Sequence, residues 1–368
     1  MQSRRRMLGG LAVLAVAGAF AAAPVRRRLR AYEFLTALAG GTSAGGDAVA
    51  ETTLTIPGRS GPIRARLYRR VDLDRGPGIV VAHGVHYRGI DERRLVPFAR
   101  QLARAGRVVL TPELSELADY RLTQQGVHVI EDATLYLSER RELSSESKVA
   151  LMGFSFAGGL ALVAAQSKKL ENRVEYVTSV GGHHDLRRVL RFLLTDRIDT
   201  PAGPRTSPAH EYGLVVLIYG HLEHFVDASD REAVAEAFRH WLHEERPLAR
   251  KAAARIATPQ GKALFERLER SRLRELAPEL ERVLAARAAE FAALSPRGRL
   301  AGLGVPVYLL HGSRDSVIPA SESEWAALEL GDAPHRVLVS PLIEHVELGR
   351  EVSMREGVAL LEFMATIL

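Results

Sequence analysis

Lys148-Val-Ala-Leu-Met-Gly-Phe-Ser-Phe-Ala-Gly-Gly-Leu-Ala-Leu162 is the stretch on which the fold turns. The apolar run Val149 to Met152 predicts a short buried strand. Gly153 breaks it, Ser155 stands at the tip of a turn, and Ala157, Gly158 and Gly159 open an apolar helix. The pattern is G-x-S-x-G with its last glycine replaced by Ala157. A serine on a sharp strand-to-helix turn sits at strained backbone angles, so the positions two residues either side must be almost without side chains. The helix behind it aims backbone N–H groups at the place where negative charge would develop. An incidental serine between a buried strand and a helix is the competing reading of this stretch alone.

Upstream, residues 52–56 and 63–68 alternate like half-buried strands and flank the turn sequence Pro57-Gly-Arg-Ser-Gly-Pro62, which predicts a hairpin. Residues 78–82 form a continuous apolar strand that ends in His83-Gly84. Helix is predicted over 91–105, strand over 107–112, and helix over 127–141. Downstream of the serine, strand 174–180 closes in Gly181-Gly182. Strand–helix alternation then stops, and resumes with strand 305–310, helix 321–330, strand 336–339 and helix 353–368. The expected fold is α/β, a mostly parallel sheet with helices on both faces. The core spans 51–183 and 303–368, with a helical insertion at 184–302. Such an insertion lies over the carboxyl ends of the strands, where Ser155 sits, and is expected to act as a lid. Within it, Ser229-Asp-Arg-Glu232 predicts a capping box opening a helix that Pro247 ends. The apolar stretch 212–220 is too short to cross a bilayer and predicts helix packed over the site.

A serine hydroxyl attacks only when a base takes its proton, and that base needs an acid to orient it. Leu309-Leu-His-Gly-Ser-Arg-Asp315-Ser-Val-Ile-Pro319 puts Asp315 just after a strand, and His345 follows the last strand. The elbow, the His-Gly after an early strand, and the order Ser155, Asp315, His345 resemble the α/β-hydrolases over residues 51–368, apart from the insertion. The resemblance implies Ser155 as nucleophile, His345 as base, Asp315 as orienting acid, and the backbone N–H groups of Phe156 and Val85 as oxyanion hole. Ala157 is the departure from the pattern. Asp185, after Gly181-Gly-His-His184, is the rival acid. Helix capping is the plain alternative for Asp315, and a surface position the plain alternative for His345. His83 is expected to shape the oxyanion loop. His183, His184, His221, His224, His240 and His243 invite a metal reading, but no known ligand signature accompanies them, and no cofactor or metal is implied.

Composition narrows the classes. The apolar fraction is 46%, the charged fraction 26%, and there is no cysteine to form a disulfide, a thiolate metal site or a thiol nucleophile. The net charge of +6 is terminal: residues 1–30 carry seven arginines and no acid, and without them the body stands at −1. No nucleic-acid surface is expected. Arg4-Arg-Arg6, the apolar run 7–25, the small residues Ala21-Ala22-Ala23 and Arg26-Arg-Arg-Leu-Arg30 resemble a twin-arginine export signal or a retained membrane anchor. Residues 1–30 are therefore read as signal or anchor and 31–50, with Gly40-Gly-Thr-Ser-Ala-Gly-Gly46, as a flexible linker. The expectation is an exported or membrane-anchored serine hydrolase cleaving a small-molecule or lipid-like carboxylic ester through an acyl-enzyme. Thioesterase, peptidase or acyltransferase chemistry on the same residues, metal-dependent chemistry at the insertion's histidines, and a membrane-tethered non-catalytic binding module stand as alternatives.

Overall fold

The computed structural model describes residues 24–38, 48–344, 347–348 and 354–368. Eight strands make one sheet: β1 (Val49–Ile56), β2 (Ile63–Arg70), β3 (Gly78–Ala82), β4 (Val108–Pro112), β5 (Val149–Phe154), β6 (Val174–Val180), β7 (Val307–Gly312) and β8 (His335–Ser340). Their order is β1-β2-β4-β3-β5-β6-β7-β8. The hairpin β1–β2 and the pair β2–β4 are antiparallel, and every later pair is parallel. This is the architecture that the resemblance implies.

The central strands read as unbroken apolar runs because both faces of the sheet are covered. Successive residues point to opposite faces. Ile79 and Val81 enter one apolar cluster while Val80 and Ala82 enter the other. The first face is covered by α1 (24–38), α2 (Leu95–Arg104) and the C-terminal helix, Met354–Ile367. The second carries α3 (Gln124–Glu139), α4 (Phe156–Ala164) and the helices inserted after β6.

That insertion runs from Leu186–Thr195 through Tyr212–Tyr219, Arg231–Leu242, Arg246–Ala253, Pro259–Glu269 and Ala277–Ala286 to Ala288–Ala293. Tyr212–Tyr219 is buried from Gly213 onward, as an apolar stretch packed inside the protein must be. Two local expectations change. The capping box does not form: the Asp230 carboxylate turns instead to the backbone N–H groups of Ala257 and Thr258, each at 2.8 Å, and clamps the start of helix Pro259–Glu269. Pro247 does not end a helix but occupies the first turn of Arg246–Ala253, where a missing N–H costs nothing.

The N-terminal boundaries also change. Residues 24–30, read as the end of a signal, and 31–38, read as the start of a linker, are one helix, α1. Ala31 and Phe34 are buried in the first-face core, and the Arg28 guanidinium pairs with Glu362 at 2.6 Å. Residues 1–23 and 39–47, which hold the rest of those two segments, lie outside the described residues. Among the described residues no helix is long and apolar enough to cross a membrane.

Candidate active site

β5 delivers Ser155 to the point where the chain turns sharply into α4. Ser155 has φ 54° and ψ −134°, a backbone that side-chain-bearing residues rarely adopt. Two glycines make the turn possible. A Cβ on Gly153 would stand 2.1 Å from the Ala157 carbonyl oxygen, and one on Gly158 would stand 3.0 Å from the Gly182 Cα. The close approaches thus fall at 153 and 158, and Ala157 is accommodated with its side chain fully buried. The Ser155 N–H donates to the Val180 carbonyl at 2.8 Å, which ties the turn to β6.

The loop after β3 lies against this turn. A Cβ on Gly84 would be 3.3 Å from the Ser155 Cβ, so the loop packs tightly on the turn and a larger residue there would push it back by a few tenths of an ångström. His83 holds the loop from below. Its Nδ1–H donates to the Gly84 carbonyl at 2.8 Å, and its Nε2 accepts from the Leu114 N–H at 3.0 Å. Both roles require the neutral ring, and burial lowers its pKa in the same sense. His83 therefore shapes the loop, as the sequence suggests. Val85 lines a small cavity of about 100 Å³ together with Ser155, Leu95, Phe98 and Phe154.

Asp315 follows β7 and is buried. Its Oδ1 accepts from the N–H groups of Val317 and Ile318, at 2.8 and 2.9 Å. His311 braces the same loop, with Nε2–H donating to the Ile318 carbonyl at 2.8 Å and Nδ1 meeting the Ser323 hydroxyl at 2.8 Å. His345 lies outside the described residues.

Asp185 is otherwise engaged. It caps helix Leu186–Thr195 by accepting from the Arg187 N–H, and its Oδ2 pairs with Arg297 at 2.6 Å. Burial opposes ionisation there, yet Arg297 and Arg188 hold its carboxyl below the usual range. Sequence reasoning did not anticipate the group that fixes this loop. The buried Glu322 carboxylate accepts from the N–H groups of His184 and Asp185, both at 2.8 Å, and pairs with Arg188 at 2.6 Å. No local signal marks it, because Glu322 and Glu324 stand together in the first turn of helix Ser321–Leu330 and only the distant partners single out Glu322.

The insertion's histidines go separate ways. His183 donates from Nε2 to the Leu294 carbonyl at 2.9 Å, and His184 meets Glu329 at 2.6 Å. His240 meets Glu245 at 2.7 Å, while His243 stacks on Tyr87 at 4.2 Å. The rings of His221 and His224 stand 6.4 Å apart. Burial beside Arg287 brings the His221 pKa down to about 4. His221 lines a cleft of about 580 Å³ beneath the insertion, with Phe156, Leu190, Leu217, Phe291 and Leu294. Among the described residues, contacts join the insertion to the loops that carry Val85, Tyr87 and Asp315. They include the Tyr212 hydroxyl donating to the Val85 carbonyl at 3.3 Å, the Tyr87–His243 stack, and the His210 N–H donating to the Ser316 carbonyl at 2.7 Å.

No family model and no curated protein matches the chain in sequence. Solved structures do resemble it. An esterase from Pyrobaculum calidifontis aligns over 94% of this chain and 92% of its own, at 19% identity and TM-score 0.48. Brefeldin A esterase, described as a bacterial homologue of human hormone-sensitive lipase, aligns over 93% and 84%, at 17% identity and TM-score 0.48. A Bacteroides ovatus protein provisionally described as dipeptidyl aminopeptidase IV aligns over 88% of this chain and 36% of its own, at 13% identity and TM-score 0.50. With the strand order above, the fold is that of the α/β-hydrolases.

Proposed function

We propose that this chain is a serine hydrolase that cleaves a carboxylic ester through an acyl-enzyme at Ser155. The observation that carries the reading is the strained backbone of Ser155, buried at the head of α4 with Gly84 against it. Strain of this kind persists only where surrounding structure enforces it, and it presents a hydroxyl at the end of the sheet. In the proposed reaction His345 takes the Ser155 Oγ proton as Oγ bonds to the ester carbonyl carbon. The carbonyl electron pair moves onto oxygen, and the N–H groups of Phe156 and Val85 stabilise that charge. Collapse breaks the bond to the alcohol, which leaves with the proton from His345. Water then repeats the cycle on the acyl group and releases the acid. Asp315, rigid in its own loop, orients His345.

The insertion acts as a lid in this reading, supported by its contacts to the Val85 and Asp315 loops. Tyr212→Phe removes the hydroxyl that holds the Val85 carbonyl. It is expected to lower kcat/KM several-fold while changing stability by about 1 kcal/mol. An unchanged kcat/KM would take the insertion out of loop positioning.

The direct test of the proposal is fluorophosphonate labelling of the full chain, with the adduct located by mass spectrometry. Rapid modification at Ser155, lost in Ser155→Ala and in His345→Ala, is expected. A folded chain that stays unlabelled would sink the hydrolase reading and favour a binding module.

A further inference from the structure

We propose that Ser155 accepts short acyl groups and that the Phe98 ring sets their length by closing off a second cavity behind the first. The inference rests on the proposal that Ser155 is the nucleophile. The first cavity, about 100 Å³, opens at Ser155 and is walled by Val85, Leu95, Phe98 and Phe154, with Glu92 and Arg94 as its charged part. A second, about 80 Å³, lies under α1, lined by Phe34, Leu38, Met152, Val180, Leu310 and Met364 among others. Thr178 is the one polar residue in its lining among the described residues.

Phe98 and Phe154 line both cavities. Their rings meet edge to face at 5.0 Å, and the Phe98 ring meets Phe34 of α1 in the same way at 5.2 Å. The two cavities therefore adjoin at this aromatic pair, which contributes to the wall of each. Phe154 is fixed by the sheet one residue before the nucleophile, whereas Phe98 projects from α2 and meets that residue through its ring alone, so the Phe98 variants alter the cavity wall while leaving the strand and turn that carry Ser155 unchanged in sequence. An apolar cavity of about 150 Å³ holds benzene, so the first cavity suits an acyl group of about four carbons. A longer chain would have to enter the space that Phe98 shuts.

The test is a series of p-nitrophenyl esters from acetate to dodecanoate, hydrolysed by the full chain. The wild type should favour butyrate or shorter over octanoate by at least about tenfold in kcat/KM, the low end of what a single methylene that a pocket cannot house is worth. Phe98→Ala should shift the octanoate-to-butyrate ratio upward by about tenfold, and Phe98→Leu, which keeps more of the packing, by a smaller step in the same direction. Adding Leu38→Phe to Phe98→Ala refills the second cavity and should reverse the gain. A wild type that prefers octanoate or longer would overturn the inference, pointing to the cleft beside Phe156 as the acyl site. So would a ratio unmoved in both Phe98 variants. In either case fluorophosphonate labelling of Ser155 would persist, and the hydrolase reading would stand. Absence of labelling would take both down together.

Discussion

Ser155→Ala is expected to lower kcat on an activated ester about a million-fold, the loss seen when the nucleophile of a cooperating triad is removed. His345→Ala should cost about as much, because an unactivated hydroxyl and an absent hydroxyl are nearly equivalent. Asp315→Asn should cost less, about ten-thousand-fold, since the base then survives in the wrong tautomer. The two acids give the sharper comparison. Asp185 spends one carboxylate oxygen on the start of helix Leu186–Thr195 and the other on Arg297. Asp185→Asn should therefore lower thermal stability and leave kcat within about tenfold, because a capping residue contributes about 1 kcal/mol to the fold and nothing to proton transfer. Steady-state rates of the four variants, with circular dichroism to establish folding, decide the matter. Equal losses for Asp185→Asn and Asp315→Asn would return Asp185 to the site, and full activity in Ser155→Ala would end the proposal.

The sequence makes the elbow legible because its constraint is local. Few side chains fit around a serine at positive φ, so Gly153, Gly158 and the apolar run before them identify the turn without any knowledge of the rest. The parallel sheet is legible for a similar reason. Strands buried on both faces need long apolar runs, and β3 and β5 supply them. What cannot be read is anything decided by partners distant in sequence. Asp230 caps one helix by pattern and clamps another in space, because Ala257 and Thr258 offer it two N–H groups that its own helix does not. Glu322 looks like an ordinary acid in a first helical turn, yet it anchors the loop after β6 through groups 137 and 138 positions away. Which histidine serves the fold is equally hidden. His83, just after β3, and His311, at the end of β7, each stand in a His-Gly pair, and both brace loops.

The largest misreading concerns α1, and its removal should have the largest effect on the fold. The arginines at 26, 27, 28 and 30 and the glycine-rich stretch after 39 suggest the end of a signal or anchor followed by a linker, but two positions three apart, Ala31 and Phe34, meet the sheet's first face. Phe34 is 3% exposed and begins the edge-to-face ladder through Phe98 to Phe154, the residue before the nucleophile. Truncating a buried phenylalanine costs about 3–5 kcal/mol, against a total stability of about 5–15 kcal/mol for a typical protein. The exposed pair Arg28–Glu362 is screened by solvent and adds little. Phe34→Ala should therefore lower the melting temperature of the full chain by about 10 °C. Deleting residues 1–38 should go further, since it bares the apolar surface of α2 and the C-terminal helix and leaves a chain that unfolds without a sharp transition or aggregates. Arg28→Ala, in contrast, should move the midpoint by no more than about 2 °C. If the chain lacking 1–38 melts as cooperatively and at the same temperature as the full chain, α1 is only resting on the sheet, and the second cavity loses the wall on which its shape depends.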